Sequence, residues 1–294
     1  MTDIFNRLSI VLWNTKLSPP VHKYWSKSTS EAKNKVSNVV RLFISLSYGF
    51  ICLSEVSPTD IEYLNSELSL YSKGYDFYVI QEKTRDVYFD TAILYKRNFS
   101  CIDCNFFIDG ENNHKLKAYQ KYIFQNIESK DYLVFYFTHW PSMLADNAEA
   151  RRSISSYIRA NLNEMKNKDS SIKFIVLGDF NAEPYEPSMV SGLKSSRHQS
   201  IVKANPHLLY NPFWQFLSCR NENPTGTFYY EKGENHKWSV LDQILLSGSF
   251  FKEGWIIKDE NIEILNIKEL MRVNFGVDFS NPSDHRAVHA ILEK

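Results

Sequence analysis

Acids, amides and imidazoles stand at the ends of apolar runs in this chain. Asp179 and Asn181 close "IKFIVLGDFN". Asn14 closes "SIVLWN", Glu55 follows "FICLS", and His139 follows "YLVFYFT". Asp242 lies inside "VLDQILLS", and Asp284 and His285 directly precede "RAVHAIL". Each has an ordinary alternative. Asp and Asn form turns because their side chains hydrogen-bond nearby backbone, and a lone strand-end histidine is commonly structural. Asp242 is harder to set aside. A carboxylate between Leu241 and Ile244 is expected to be buried, and a buried carboxylate needs a partner; histidine is a natural one.

Together these side chains match metal-assisted hydrolysis of a phosphate ester. Carboxylate and amide oxygens suit a hard cation such as Mg²⁺. Such a cation neutralises charge developing on phosphoryl oxygens. A histidine held by a carboxylate can accept a proton from water, and a second can donate to the phosphate or the leaving group. Neither a GxSxG nucleophile motif nor a GxxxxGK[ST] phosphate loop is present.

Apolar runs of strand length must carry these residues, and helices must cover them. Strands are expected at "SIVLWN", "FICLSEV", "YDFYVIQ", "DTAILYKR", "YLVFYFTHW", "IKFIVLGDFN", "TGTFYY", "VLDQILLS" and "RAVHAIL". A helix capped by Ser28 and Glu31 presents Ala32, Val36, Val39, Val40, Phe43 and Ile44, and Gly49 ends it. A second begins at Ser57-Pro58, and a third carries Ile154, Tyr157, Ile158, Leu162 and Met165. Residues 186–222 read as irregular. Strands alternate with helices before hairpins intrude, which predicts mixed sheets with helices outside, in one domain over 1–294.

The chain has 294 residues, 43% hydrophobic and 23% charged, with zero formal net charge. That is ordinary for a globular protein, and no global basic field announces nucleic acid. No stretch approaches the roughly 18 apolar residues of a membrane span. The first residues make a poor signal peptide, so a cytoplasmic location is expected. Of four cysteines, Cys101 and Cys104 form one CxxC without a second pair, which reads as free thiols rather than a zinc site.

In order, "VLWN", "ICLSEV", "FTHWPS", "VLGDFNAEP", "TGTFYYEKGENHKWSVLDQILLS" and "SDHRAV" resemble the endonuclease/exonuclease/phosphatase superfamily, most closely a poorly characterised bacterial branch. The resemblance spans residues 11–288. It implies a four-layer α/β sandwich of the DNase I-like type, with two mixed sheets face to face and helices outside. It also implies a divalent metal, Mg²⁺ or Mn²⁺, and hydrolysis of a phosphoester by water. Carried over by position, Asn14 and Glu55 are metal-side residues, with Glu55 the main ligand and Asp284 a further metal or water ligand. Asp179 and Asn181 position the water and hold the phosphate, and Asp242 orients His285. His139 stands where abasic-site endonucleases carry Tyr. Ser54 replaces a common Gln, and Val240 and Gln243 replace the Arg and aromatic of many repair members, which weakens an abasic-endonuclease assignment.

Superfamily members act on DNA, RNA, phosphoinositides, sphingomyelin or protein–DNA adducts. "HKYWSKSTSEAKNK" (22–35) carries four lysines and two aromatics. Its Lys23 and Lys27 read equally as phosphate ligands and as a solvated helix start. Trp140 and Arg151 are further substrate-contact candidates, with core packing and a helix surface as their alternatives. Nucleic acid is the favoured substrate, and small phosphoesters or phospholipids are the alternative. No obligate protein partner is expected.

Overall fold

The computed structural model describes residues 6–20, 28–79, 87–109, 116–143, 147–218, 226–233 and 237–294. In chain order the strands are β1 (Arg7–Asn14), β2 (Phe50–Ser54), β3 (Tyr75–Val79), β4 (Thr91–Lys96), β5 (Phe99–Asp109), β6 (Leu116–Asn126), β7 (Tyr132–His139), β8 (Lys173–Asp179), β9 (Ser195–Ser196), β10 (Leu209–Tyr210), β11 (Phe228–Tyr229), β12 (Trp238–Ser239), β13 (Asp242–Ser247), β14 (Ile262–Ile264) and β15 (Val288–Glu293). The helices are α1 (Ser30–Ser45), α2 (Pro58–Leu68), α3 (Ala148–Lys168), α4 (Gln199–Ala204), α5 (Gly248–Lys252) and α6 (Ile267–Phe275).

Two mixed sheets form. One runs β14-β15-β1-β2-β4-β3, the other β5-β6-β7-β8-β13-β10-β9, and β11-β12 is a separate ribbon. β1 and β2 pair in parallel, as do β7 and β8. The alternation of side chains along a strand sorts each central strand between two layers. From β1, Leu8, Ile10 and Leu12 enter the core between the sheets, where they meet Phe135, Ile175 and Leu177 of the other sheet. Val11 and Trp13 point the other way, into the layer of α1, α2 and α6. From β8, Phe174 and Val176 pack with Ile154, Ile158 and Leu162 of α3. Burial on both faces explains why these strands read as continuous apolar runs. The result is the expected four-layer α/β sandwich.

Local details differ from the expectations. Thr29, not Ser28, caps α1: its hydroxyl accepts from Ala32 N at 3.1 Å. Ser28 instead donates to Asp60, which also accepts from Ser18 and Ser57. That buried carboxylate completes the capping box of α2 and ties the two helix starts together. Gly49 does not end α1, which closes at Leu46; it lies against Ser9 as the chain enters β2. The β5–β6 hairpin, β9, β10, β12, α5, β14 and α6 are additional to the predicted elements. β5 mixes polar and apolar residues on a mostly exposed edge and has a register shift between Cys101 and Asp103, so no clean alternation marks it. Among the described residues, no helix is long and apolar enough to cross a membrane.

Candidate active site

Strand register brings the polar ends together. His139 pairs with Asp179 between β7 and β8, and Asp242 pairs with Asp179 between β8 and β13. Asn14 ends β1 opposite Ser54 of β2, and Glu55 follows at once. The Asn14 amide then bridges the sheets, donating to Glu55 Oε1 and Asp179 Oδ2, each at 3.2 Å. The close approach of β7 and β8 requires Gly178: at φ 148° a Cβ here would lie 1.7 Å from the Thr138 carbonyl oxygen.

Two site residues hold left-handed backbone, Glu55 at φ 55° and Asn181 at φ 44°. Such a conformation costs about 1–3 kcal/mol and persists where surrounding contacts fix it. The Glu55 carbonyl accepts from Ser18 N at 2.6 Å and Thr15 Oγ1 at 3.1 Å. Asn181 donates its backbone N–H to Asp179 Oδ1 and its amide to the Trp140 carbonyl, both at 3.0 Å. One amide N–H of Asn181 is left for another acceptor.

Two histidine–carboxylate dyads flank Asp179. His285 Nδ1 lies 2.7 Å from Asp242 Oδ2, and its Nε2 lies 3.8 Å from Asp179 Oδ2. Its carbonyl accepts from Trp13 Nε1 and Asn281 Nδ2, and its N–H donates to Ser283 Oγ. His139 repeats the pattern. Its Nδ1 lies 2.6 Å from Asp90 Oδ2, and its Nε2 lies 3.8 Å from the same Asp179 oxygen and 4.0 Å from Glu55 Oε1. The Lys117 ammonium also contacts Asp90.

Electrostatics follow from this wiring. Burial pulls the His285 pKa down, but the charges of Asp242 and Asp179 outweigh it and raise the ring to about 10. Burial opposes His139 likewise, and Asp90 with Asp179 raises it to about 9. Burial pushes Asp242 up while His285 pulls it back. Burial also pushes Asp90 up, yet Lys117 and His139 hold it below the ordinary carboxylate range. Glu55 is raised, chiefly by burial.

The donor set fits a hard divalent cation. Glu55 and Asp179 turn carboxylate oxygens toward one another across Asn14, and burial disfavours the Glu55 charge until a cation offsets it. Asp179, Asp242 and His285 also offer atoms within 4.8 Å of one another. Within that cluster His285 Nδ1 and Asp242 Oδ2 are hydrogen-bonded to each other, while His285 Nε2 faces Asp179 Oδ2 at 3.8 Å.

The other predicted residues fall at different depths. Asp284 lies on the rim, 2.6 Å from the Lys16 ammonium. Trp140 is 1% exposed and edge-on to Phe180, so its ring packs in the core and only its backbone reaches the site. Arg151 is 7% exposed and faces the Pro141 carbonyl and Glu186, rather than a substrate surface. Lys23 and Lys27 lie outside the described residues.

Sequence reasoning missed Asp90, Lys117 and Lys16. Asp90 had a readable signal, an acid heading the apolar run "TAILY". Lys117 and Lys16 had none. Beyond His285 lies an aromatic ledge. Phe228 packs on the His285 ring at 4.8 Å, Tyr229 on Trp238 at 5.0 Å, and the Arg286 guanidinium sits 4.0 Å over Trp238.

The sequence matches the model of the Endonuclease/Exonuclease/phosphatase family over residues 13–276. The chain belongs to this family. Its enzymes hydrolyse phosphoesters and depend on divalent metal. No curated protein matches the sequence significantly. Among solved structures, the chain is similar to TDP2 of D. rerio complexed with single strand DNA product, at 15% identity and TM-score 0.63, covering 98% of this chain and 99% of that one. It is similar to the human Nocturnin catalytic domain with bound sulfate anion, at 18% identity and TM-score 0.61, covering 98% and 94%. It is also similar to a mannosyl-6-phosphatase of Bacteroides thetaiotaomicron, at 15% identity and TM-score 0.63, covering 97% and 98%. At these identities the likeness shows the shared fold, the two-sheet sandwich described above.

Proposed function

We propose that this family member is a divalent-metal-dependent phosphodiesterase that cleaves nucleic acid. The observation that carries the reading is the pair of histidine–carboxylate dyads, His139–Asp90 and His285–Asp242, both aimed at Asp179 Oδ2.

Glu55, with Asn14 beside it, would hold the cation; Mg²⁺ or Mn²⁺ fits oxygen ligands. When bound, the cation neutralises charge on the phosphoryl oxygens. Asp179, oriented by Asn14 and the Asn181 N–H, accepts the proton of the attacking water. With Nδ1 engaged by a buried carboxylate, each ring presents Nε2 to the reacting centre. His285 and His139 therefore donate from Nε2 to the phosphoryl and leaving oxygens. The free amide N–H of Asn181 donates to the phosphate.

The ledge of Phe228, Tyr229, Trp238 and Arg286 supports a substrate with flat faces, because bases stack on aromatic and guanidinium planes whatever their identity. The likeness to TDP2 bound to a single strand DNA product agrees with it. The likeness to a mannosyl-6-phosphatase favours a second reading, hydrolysis of a small phosphomonoester on the same centre.

A panel of plasmid, single-stranded DNA, RNA and sugar phosphates, with Mg²⁺ or Mn²⁺, separates the two. Oligonucleotide cleavage lost in His285→Ala supports the first reading. Phosphate release from sugar phosphates, without cleavage of nucleic acid, supports the second. No turnover of any of them overturns both.

A further inference from the structure

Five carboxylates converge on the centre, and their partners are unequal. Asp90 has the Lys117 ammonium, and Asp242 has His285 Nδ1. Asp284 has the Lys16 ammonium at 2.6 Å, with both side chains half open to solvent, 51% and 39%. Among the described residues, Glu55 and Asp179 have no lysine or arginine within ion-pair distance; their cationic neighbours are imidazole Nε2 atoms at 3.8–4.0 Å.

The Lys16 backbone is held beside Asn14. It adopts φ 55°, and its N–H donates to Asn14 Oδ1 at 3.1 Å. This ties the lysine to the residue that bridges Glu55 and Asp179. A non-glycine residue in left-handed backbone beside a reactive centre is where folds store strain for function. A divalent ion approaching Asp284 would meet an ammonium that a short backbone tether keeps nearby, and like charges repel.

We propose that Lys16 is a built-in cation that takes the place of a second divalent ion: it occupies Asp284, so the centre takes one metal, on the Glu55 side. This rests on the metal-dependent reading above. It gives Asp284 a structural partner in place of the metal-ligand role carried over by resemblance.

The test counts bound Mn²⁺ per chain, by calorimetry or by the electron paramagnetic resonance of the free ion. One Mn²⁺ is expected for the wild type, for Lys16→Arg and for Asp284→Asn. Two are expected for Lys16→Gln and for Lys16→Asn, the latter keeping a side chain that tolerates the left-handed backbone. Two in the wild type, or one in both neutral Lys16 variants, overturns the proposal and leaves metal-dependent hydrolysis standing. None in the wild type overturns the metal-dependent reading itself and this proposal with it.

Discussion

His139 and His285 approach one oxygen, Asp179 Oδ2, at the same 3.8 Å, the first from the end of β7 and the second from the segment that leads into β15 of the other sheet. Each ring is turned by a buried carboxylate on its far nitrogen. The site is therefore two dyads around a shared acid.

That arrangement makes Asp90 as consequential as Asp242. Asp90→Asn and Asp242→Asn should each lower kcat by about 10–100-fold, the usual effect of removing the partner that orients a working side chain. Mn²⁺ affinity should stay within about threefold of wild type, because neither group is assigned to the cation. A large loss of affinity in Asp242→Asn would reassign it as a ligand.

Glu55 should show the opposite pattern. Glu55→Gln should weaken Mn²⁺ binding and turnover together. In EDTA it should also raise stability above pH 5, by about 1 kcal/mol, since an amide avoids the cost of a buried charge. The sign follows from the raised pKa of Glu55: stability is lost as pH rises above the unfolded value, where the folded carboxyl is forced to ionise. Denaturant melts at pH 4 and pH 8 measure the difference. A Glu55→Gln protein equally destabilised at both would contradict it.

Three histidines set the pH limits of stability in EDTA. His139 and His285 are raised to about 9 and about 10, so their contribution is full below pH 6.5 and fades as pH climbs through those values. His289 goes the other way. Burial beside Tyr48 lowers it to about 4, so up to about 3 kcal/mol present above pH 6.5 is lost as pH falls toward 4. Tm against pH should flatten on the acid side in His289→Gln. An unchanged acid limb would rule that group out.

Gly178→Ala tests the close approach of β7 and β8. A methyl there overlaps the Thr138 carbonyl oxygen at 1.7 Å and also needs φ near 148°. The cost should be about 3–5 kcal/mol, some 6–15 °C in Tm. A Tm within about 2 °C of wild type would mean that the strands separate without penalty.

Much of this centre is legible in the sequence because β1, β2, β7 and β8 are buried on both faces. Their apolar runs stand out, and Asn14, Glu55, His139, Asp179 and Asn181 mark where they end. Asp242 is legible as a lone acid among apolar neighbours. What is not legible is depth and pairing. Trp140 and Arg151 follow a site histidine and open a helix, yet both turn inward, which only packing against Phe180 and Glu186 decides. Lys117 sits in a strand whose alternation is broken by lysine, tyrosine and glutamine, and its contact with Asp90 depends on sheet order. Lys16 meets Asp284 across 268 positions of sequence, a pairing no local pattern carries.

Asp179 stands at the focus of both dyads, where the proposed hydrolysis needs a proton acceptor. The most direct measurement is the cleavage rate of an end-labelled single-stranded oligonucleotide in Mg²⁺, wild type against Asp179→Asn, with folding verified by circular dichroism. Cleavage by the wild type, its abolition by EDTA and a loss of about 10²–10⁴-fold in the variant are expected. An Asp179→Asn enzyme within about threefold of wild type, or wild-type cleavage that persists in EDTA, would contradict it.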